Sequence, residues 1–356
     1  MRKGRGAVSS QASSRFERFT THRVSDGWQR PPEEEVEDEK PLQTELRLDS
    51  SRSIIARNDS PDIGFSQSIN TYRGCEHGCI YCYARPSHAY LGLSPGLDFE
   101  SKIYHKPNAP ELLRKELSKP SYKPELIVVG ANTDVYQPVE RKTQLTREVI
   151  KVLAEFSHPF TIITKSALIL RDLDILAPLA ERNLVCVAVT LGTLNPETHR
   201  VMEPRAPRPD KRLATMRGLA SAGVPVTIMT APIIPAINDH EIEDLLEAAR
   251  DVGAKHAGFT ILRLAWELKD LFEEWLRAHF PDRAEHVLSL LRQIYGGKLY
   301  DANWGVRGRG TGVYAKMLAQ RHRLACDKFG LNKEERYLDH GQFKRPPADV
   351  RQMEMF

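Results

Sequence analysis

The 356-residue chain lacks an apolar run of membrane-spanning length. Its longest runs, 126–130, 184–191 and 224–234, are far short of the roughly 20 residues a spanning helix needs, so no membrane partner is expected. Cysteine is scarce: Cys75, Cys79, Cys82, Cys186 and Cys326 are the full set of five. Their number is odd, three fall within eight residues, and the opening MRKGRGAVSSQASSRF is basic with no apolar core of a leader. The expectation is a cytoplasmic address, and a soft-metal site rather than a disulfide framework. Charge of one sign is also missing, because the formal net charge of +4 is too small to indicate nucleic acid by itself. What matters is placement: 298–351 holds 12 Lys or Arg against 6 Asp or Glu, and Glu33 to Glu39 holds six acids in seven residues.

Residues 1–45 show little apolar periodicity and are rich in Ser, Arg, Pro and Glu, which predicts a disordered arm outside the fold. Beyond it, strand-like and helix-like segments alternate. Strands are predicted at 66–72, 126–130, 160–164, 184–191, 225–234 and 258–264, with amphipathic helices between them, one of them over 109–117 with Asn108 as N-cap. Continuous apolar strands joined by helical crossovers predict a parallel sheet covered on both sides. Six such units fit either a doubly wound sheet or an incomplete (β/α) barrel, and both place chemistry at the carboxyl ends of the strands. Residues 46–265 form this core. Residues 266–345 read as a helical extension around the linker GVRGRGTG (305–312), and 346–356 as a tail.

After the first strand stands Cys75-Glu-His-Gly-Cys79-Ile-Tyr81-Cys82, on a loop that Gly74 and Gly78 allow to turn sharply. A closed zinc site completed by His77 or His88 is one reading, but such sites draw four ligands and no second pair follows. Three thiolates better suit a cubane iron-sulfur cluster whose fourth iron is open.

C-x3-C-x-aromatic-C in front of a six-fold βα series resembles the radical S-adenosylmethionine superfamily, over about 60–265. The resemblance implies a partial (β/α)6 TIM-like barrel, one 4Fe-4S cluster on Cys75, Cys79 and Cys82, and S-adenosylmethionine chelated to the open iron. It further implies reductive cleavage to a 5'-deoxyadenosyl radical, a one-electron reductant such as flavodoxin or ferredoxin, and Tyr81 packed on the adenine. The stretch Gly130-Ala-Asn132-Thr133-Asp134-Val-Tyr136-Gln-Pro is similar to the spore photoproduct lyase-like, or DNA repair photolyase-like, branch. By that likeness Asn132, Thr133 and Asp134 receive the methionine amino group, while Lys165 and Thr190 contact its carboxylate and the ribose. Met202-Glu203-Pro204-Arg205-Ala206-Pro207 also resembles this branch, with Arg205 or Arg208 as anion contacts. The lyase proper carries a hydrogen-donating cysteine near the end of its second strand; Gly130 to Asp134 has none. Cys186 reads as core, and Cys326 lies on the C-terminal helix. The substrate is therefore left open, with DNA or another nucleic acid the first class to consider.

Two C-terminal features bear on partners. Arg307 and Arg309 stand among glycines that let backbone approach a phosphate. Gln352-Met-Glu-Met-Phe356 resembles tails that dock on the bacterial sliding clamp. Trp266, Trp275 and Trp304 are expected to pack the extension on the barrel. The rival reading from another class is a non-catalytic nucleic-acid or clamp-binding protein stabilised by zinc or a cluster.

Overall fold

Short apolar runs become the strands: β1 (Glu45–Leu48), β2 (Ile55–Arg57), β3 (Gln67–Ile69), β4 (Tyr72–Arg73), β5 (Lys102–His105), β6 (Ile127–Val129), β7 (Phe160–Thr164), β8 (Val185–Thr190), β9 (Val226–Ile233) and β10 (His256–Ile261). The helices are α1 (Leu97–Ser101), α2 (Ala109–Leu117), α3 (Glu140–Thr143), α4 (Leu145–Glu155), α5 (Leu173–Glu181), α6 (Pro196–Met202), α7 (Pro209–Ser221), α8 (Ile242–Asp251), α9 (Leu268–His279), α10 (Ala284–Ile294) and α11 (Val313–Phe329). The computed structural model describes residues 4–9, 13–16, 42–335 and 337–347.

Seven strands form one sheet in the spatial order β10, β9, β8, β7, β6, β3, β2. The six from β3 to β10 run parallel, and β2 is antiparallel on β3. Each crossover places the next parallel strand on the same side as the last. A doubly wound sheet reverses direction at a switch point; this one does not, and its two edge strands, β2 and β10, are not paired with each other, so it is an open (β/α)6 barrel. All six residues of β8 are buried, as a strand covered on both faces requires.

The extension closes an edge. Unpaired strand edges invite further pairing, and β10 is covered: Ile261 N donates to Gly308 O (2.9 Å), while the Asn332 side chain bonds both backbone groups of Ala257 (2.9 and 3.0 Å). Trp275 is fully buried on α9 and its Nε1 donates to Val201 O at 3.1 Å, the packing role expected of it. Trp266 and Trp304 are exposed instead. No described helix is long and apolar enough to cross a membrane.

Three expectations need correction. The predicted strand 66–72 breaks at Asn70-Thr71, because Asn70 Oδ1 turns to accept from the Asn132 and Thr133 amides (2.8 and 3.3 Å), and Tyr72–Arg73 joins a second sheet ordered β1, β5, β4. Asn108 precedes α2 but makes no capping bond; its amide donates to Ser51 O instead. The arm 1–45 is not wholly outside the fold: residues 4–9 and 13–16 are packed on it, Ala7 with no exposure at all, and Glu45–Leu48 pairs with β5. Signal was missing there because the packing uses glycine backbone and one buried carboxylate rather than an apolar stripe.

Candidate functional site at the strand ends

The chain leaves β4 through Gly74, whose φ of +81° and close approach to Phe99 O leave no room for a side chain, and enters the cysteine loop. Cys75 and Cys79 are buried, Cys82 is half-buried, and all three are free thiols. Burial first, then the nearby Asp134 and the other two thiols, pushes Cys75 well above the usual range, and burial pushes Cys79 up to about 12 against the opposing pull of Lys165. As thiols, Cys75 and Cys79 hold their protons at neutral pH. A soft metal would displace those protons and supply the positive charge that burial demands.

Hydrogen bonds from within the chain brace the loop. Arg85, fully buried, donates to the carbonyls of Cys79 (2.8 Å), Gly78 (2.9 Å), Pro95 (3.0 Å) and Gly96 (3.1 Å), and pairs with the equally buried Glu100. The Glu76 amide donates to Gln137 Oε1 (2.8 Å), and its carboxylate accepts from Val139 N (2.6 Å). On the other side Ile80 N donates to Met202 O (3.1 Å) and Arg205 N to His77 O (3.2 Å), so the Met202–Pro207 segment is stitched along the loop.

Polar residues from successive strand ends meet the loop there. Asp134, after β6, accepts from Thr164 Oγ1 (2.7 Å), Lys165 N (2.7 Å) and Tyr136 N (2.9 Å), tying the ends of β6 and β7 together. Thr133 is buried with its hydroxyl donating to Tyr72 O (3.0 Å), and Asn132 is exposed. The Lys165 ammonium lies 5.9 Å from the centre of the Tyr81 ring, within cation–π range. Burial works against its charge, but Cys79 and Glu203 more than compensate and raise it. Tyr81 donates its hydroxyl to Glu203, which also pairs with buried Arg212; Arg212 in turn donates to Thr190 O at 2.9 Å. Although buried, Glu203 is held down at about 2 by Arg212 and Lys165. Tyr81 and the Thr190 backbone are thus joined through Glu203 and Arg212, and Asp134 is joined to Lys165 through its amide, all beside the cysteine loop.

Glu203, Arg212, Arg85 and Glu100 were not read as site residues in the sequence. Glu203 lies inside the Met202–Pro207 segment, two residues before Arg205. Arg205 and Arg208 are engaged locally, Arg205 with Glu76 (3.3 Å) and Arg208 with Asp210 (3.0 Å). His88 is buried and brought down to about 4 by burial, so it is neutral, and its Nε2 lies 3.1 Å from Lys102 O. His77 is buried and kept neutral, its Nδ1 3.4 Å from Asp134 Oδ2 without hydrogen-bond alignment. Among the described residues, no three His, Cys, Asp or Glu side chains are gathered as one metal ion requires. Cys186 faces Thr161 inside the sheet (3.0 Å) and Cys326 packs on His322 and Asn332, both away from the loop. Arg307 is bound to Asp62 by two bonds of 2.6 and 2.8 Å, and Gln352–Phe356 lies outside the described residues.

The family model of the radical SAM superfamily matches residues 69–249. An uncharacterized protein of Mycobacterium tuberculosis (strain ATCC 25618 / H37Rv) is 36% identical over 233 residues, covering 65% of this chain and 67% of the relative. An uncharacterized protein of Methanocaldococcus jannaschii is 29% identical over 178 residues, half of this chain and 64% of the relative. Among solved structures, spore photoproduct lyase complexed with dinucleoside spore photoproduct superposes with a TM-score of 0.61 at 18% identity, over 83% of this chain and 82% of the lyase. A mutant of that lyase with bound AdoMet and dinucleoside spore photoproduct gives 0.60 at 17%. At such identity the likeness is one of fold.

Proposed function

The chain belongs to the radical SAM superfamily and is an enzyme of that class, and from that premise we propose that Cys75, Cys79 and Cys82 hold its 4Fe-4S cluster and that the strand-end residues hold S-adenosylmethionine. The observation that supports this reading is a loop bearing three free cysteines that runs beside Tyr81 and Lys165, with Asp134 and the Thr190 backbone tied in at the carboxyl ends of β6, β7 and β8. The donor set suits an iron-sulfur cluster, since the C-x3-C-x2-C loop offers three sulfurs and leaves a fourth iron open. When bound, the cluster and S-adenosylmethionine supply one-electron cleavage to methionine and a 5'-deoxyadenosyl radical.

The chain's own residues bind, orient and exclude water. Lys165 brings a half-buried ammonium beside the Tyr81 ring, where it suits the methionine carboxylate. Asn132, exposed, is the group of the 132–134 stretch that is to meet the amino group. Thr133 and Asp134 act through the backbone they hold, because their side chains are already bonded. Tyr81 presents its ring beside Lys165 for the adenine, with its hydroxyl fixed by Glu203. Residues 46–265 carry this chemistry and 266–345 shield it, a low-dielectric enclosure that a primary carbon radical needs.

The substrate we propose to test first is DNA, because the fold is that of a lyase seen with a dinucleoside photoproduct. With no thiol at Gly130–Asp134, hydrogen return as in that lyase is not part of the proposal. The test is anaerobic reconstitution, reduction with dithionite in the presence of S-adenosylmethionine, and chromatography for 5'-deoxyadenosine. Wild type should form it and Cys79→Ala should lose both iron and product. A loaded, reducible cluster that gives no 5'-deoxyadenosine even with DNA present would overturn the catalytic reading and leave a cluster-stabilised binding protein in its place.

A further inference from the structure

The cysteine loop has a second wall, made by the start of the chain. Three successive amides, those of Arg5, Gly6 (3.1 Å) and Ala7 (2.9 Å), converge on the carboxylate of Glu100. The same carboxylate pairs with Arg85, which holds the carbonyls of Gly78 and Cys79. Gly6 lies flat on the loop: a methyl at its Cα would stand 1.9 Å from the carbonyl oxygen of Gly78, the residue before Cys79. A methyl on Gly96 would likewise strike Ser9 O at 2.5 Å. Contact this close on both sides is possible only between backbones without side chains.

The Arg5 side chain continues across the loop. It donates to Glu100 O, Leu42 O (3.1 Å) and Thr44 Oγ1 (2.8 Å), and Thr44 donates to Glu76, the residue after Cys75. Burial and the neighbouring Arg205 bring this guanidinium down to about 10, while Glu76, Glu100 and Cys75 pull the other way. Farther along, Ser13 bonds Glu267 (2.5 Å) and Arg15 bonds Pro86 O (3.0 Å), pairs with Glu267 (3.3 Å) and lies over the rings of Tyr90 and Trp266. The described pieces of the N-terminal stretch therefore touch both the segment after the cysteines and the turn after β10.

Resting on the assignment of the cluster to this loop, we infer that Gly4–Ser9 is a structural part of the cluster site, in which Arg5 is a positioning residue supplying fixed positive charge beside Cys75 and Gly6 seals the Gly78 face against water. Reduction adds a negative charge to the cluster, so a fixed cation nearby favours the reduced form. Sealing slows the local opening through which a chelator reaches iron.

The full-length chain tests this as wild type, Arg5→Gln, Arg5→Lys and Gly6→Ala, each reconstituted anaerobically. Iron and sulfide per chain are measured first, then the midpoint potential by redox titration with electron spin resonance, and the rate of iron loss to bathophenanthroline. Arg5→Gln should shift the potential to more negative values and Arg5→Lys should restore it. Gly6→Ala should keep the wild-type iron content but lose iron about tenfold faster, the effect of weakening one buried contact. A wild-type chain that loads no iron overturns both the cluster assignment and this inference. Loaded wild type with the potential unmoved in Arg5→Gln and iron loss unchanged in Gly6→Ala overturns this inference alone.

Discussion

Two stretches of arginine and glycine flank the core and meet opposite fates. Gly4-Arg5-Gly6 packs against the cysteine loop, Gly6 buried and the other two half-buried, with the amides of Arg5 and Gly6 on Glu100 and the guanidinium on backbone carbonyls. Gly305-Val-Arg307-Gly-Arg309-Gly310 lies on a surface turn, where Arg307 pairs with Asp62 and Arg309 lies over Phe259. Composition is the same in both. The acceptor decides the outcome: Glu100 has no exposure, so any donor that reaches it must stay, whereas Asp62 faces water and competes with it. Low-complexity letters thus say little until the buried carboxylate they serve is known.

The comparison breaks most visibly at Glu100. Glu100→Gln leaves Arg85 as a buried charge without its partner, and stability should fall by about 3 to 5 kcal/mol, read by urea denaturation. A loss under about 1 kcal/mol would mean that the N-terminal stretch is held no more firmly than the C-terminal turn. Next in size is an effect of pH. Glu203 is held at about 2 against an ordinary 4.5, so it contributes stability above pH 4.5 that is lost as pH falls toward 2. Glu203→Gln should remove that part of the acid limb in melting curves taken from pH 5 to pH 2. Asp62→Asn, at an exposed pair, should leave the limb nearly as in wild type.

Much of the frame was legible in the sequence. Each of the six parallel strands falls within or beside its predicted run, because covered strands write themselves as unbroken apolar letters. Spacing marks Cys75, Cys79 and Cys82, while Asp134, Lys165 and Thr190 are marked only by the family resemblance; the fold brings these three to successive strand ends. What stayed hidden depends on long-range pairing. Glu203 meets Tyr81 across 122 residues, and Arg5 and Glu100 meet across 95. No periodicity marks such partners, and the charge of Glu100 reads as solvated surface until Arg85 is placed beside it. The broken strand at Asn70 was hidden for the same reason, since its side chain serves amides 62 residues away.

The smallest effect sharpens the comparison from the other side. Arg307→Ala removes two bonds to Asp62 on a surface turn, and the median worth of such a pair is about 1 kcal/mol or less. Iron content, midpoint potential and 5'-deoxyadenosine yield should match wild type, because the hydrogen bonds of the Arg307 side chain go to Asp62 and not to the cysteine loop. Since Arg307 is already committed to Asp62, a phosphate would have to displace a carboxylate to use it. Asp62→Asn should therefore tighten DNA binding at low salt if the turn is a phosphate contact, and change nothing if it is only a turn. Measured by fluorescence anisotropy across a salt series, a slope that steepens in Asp62→Asn would restore the C-terminal arginines to a binding role.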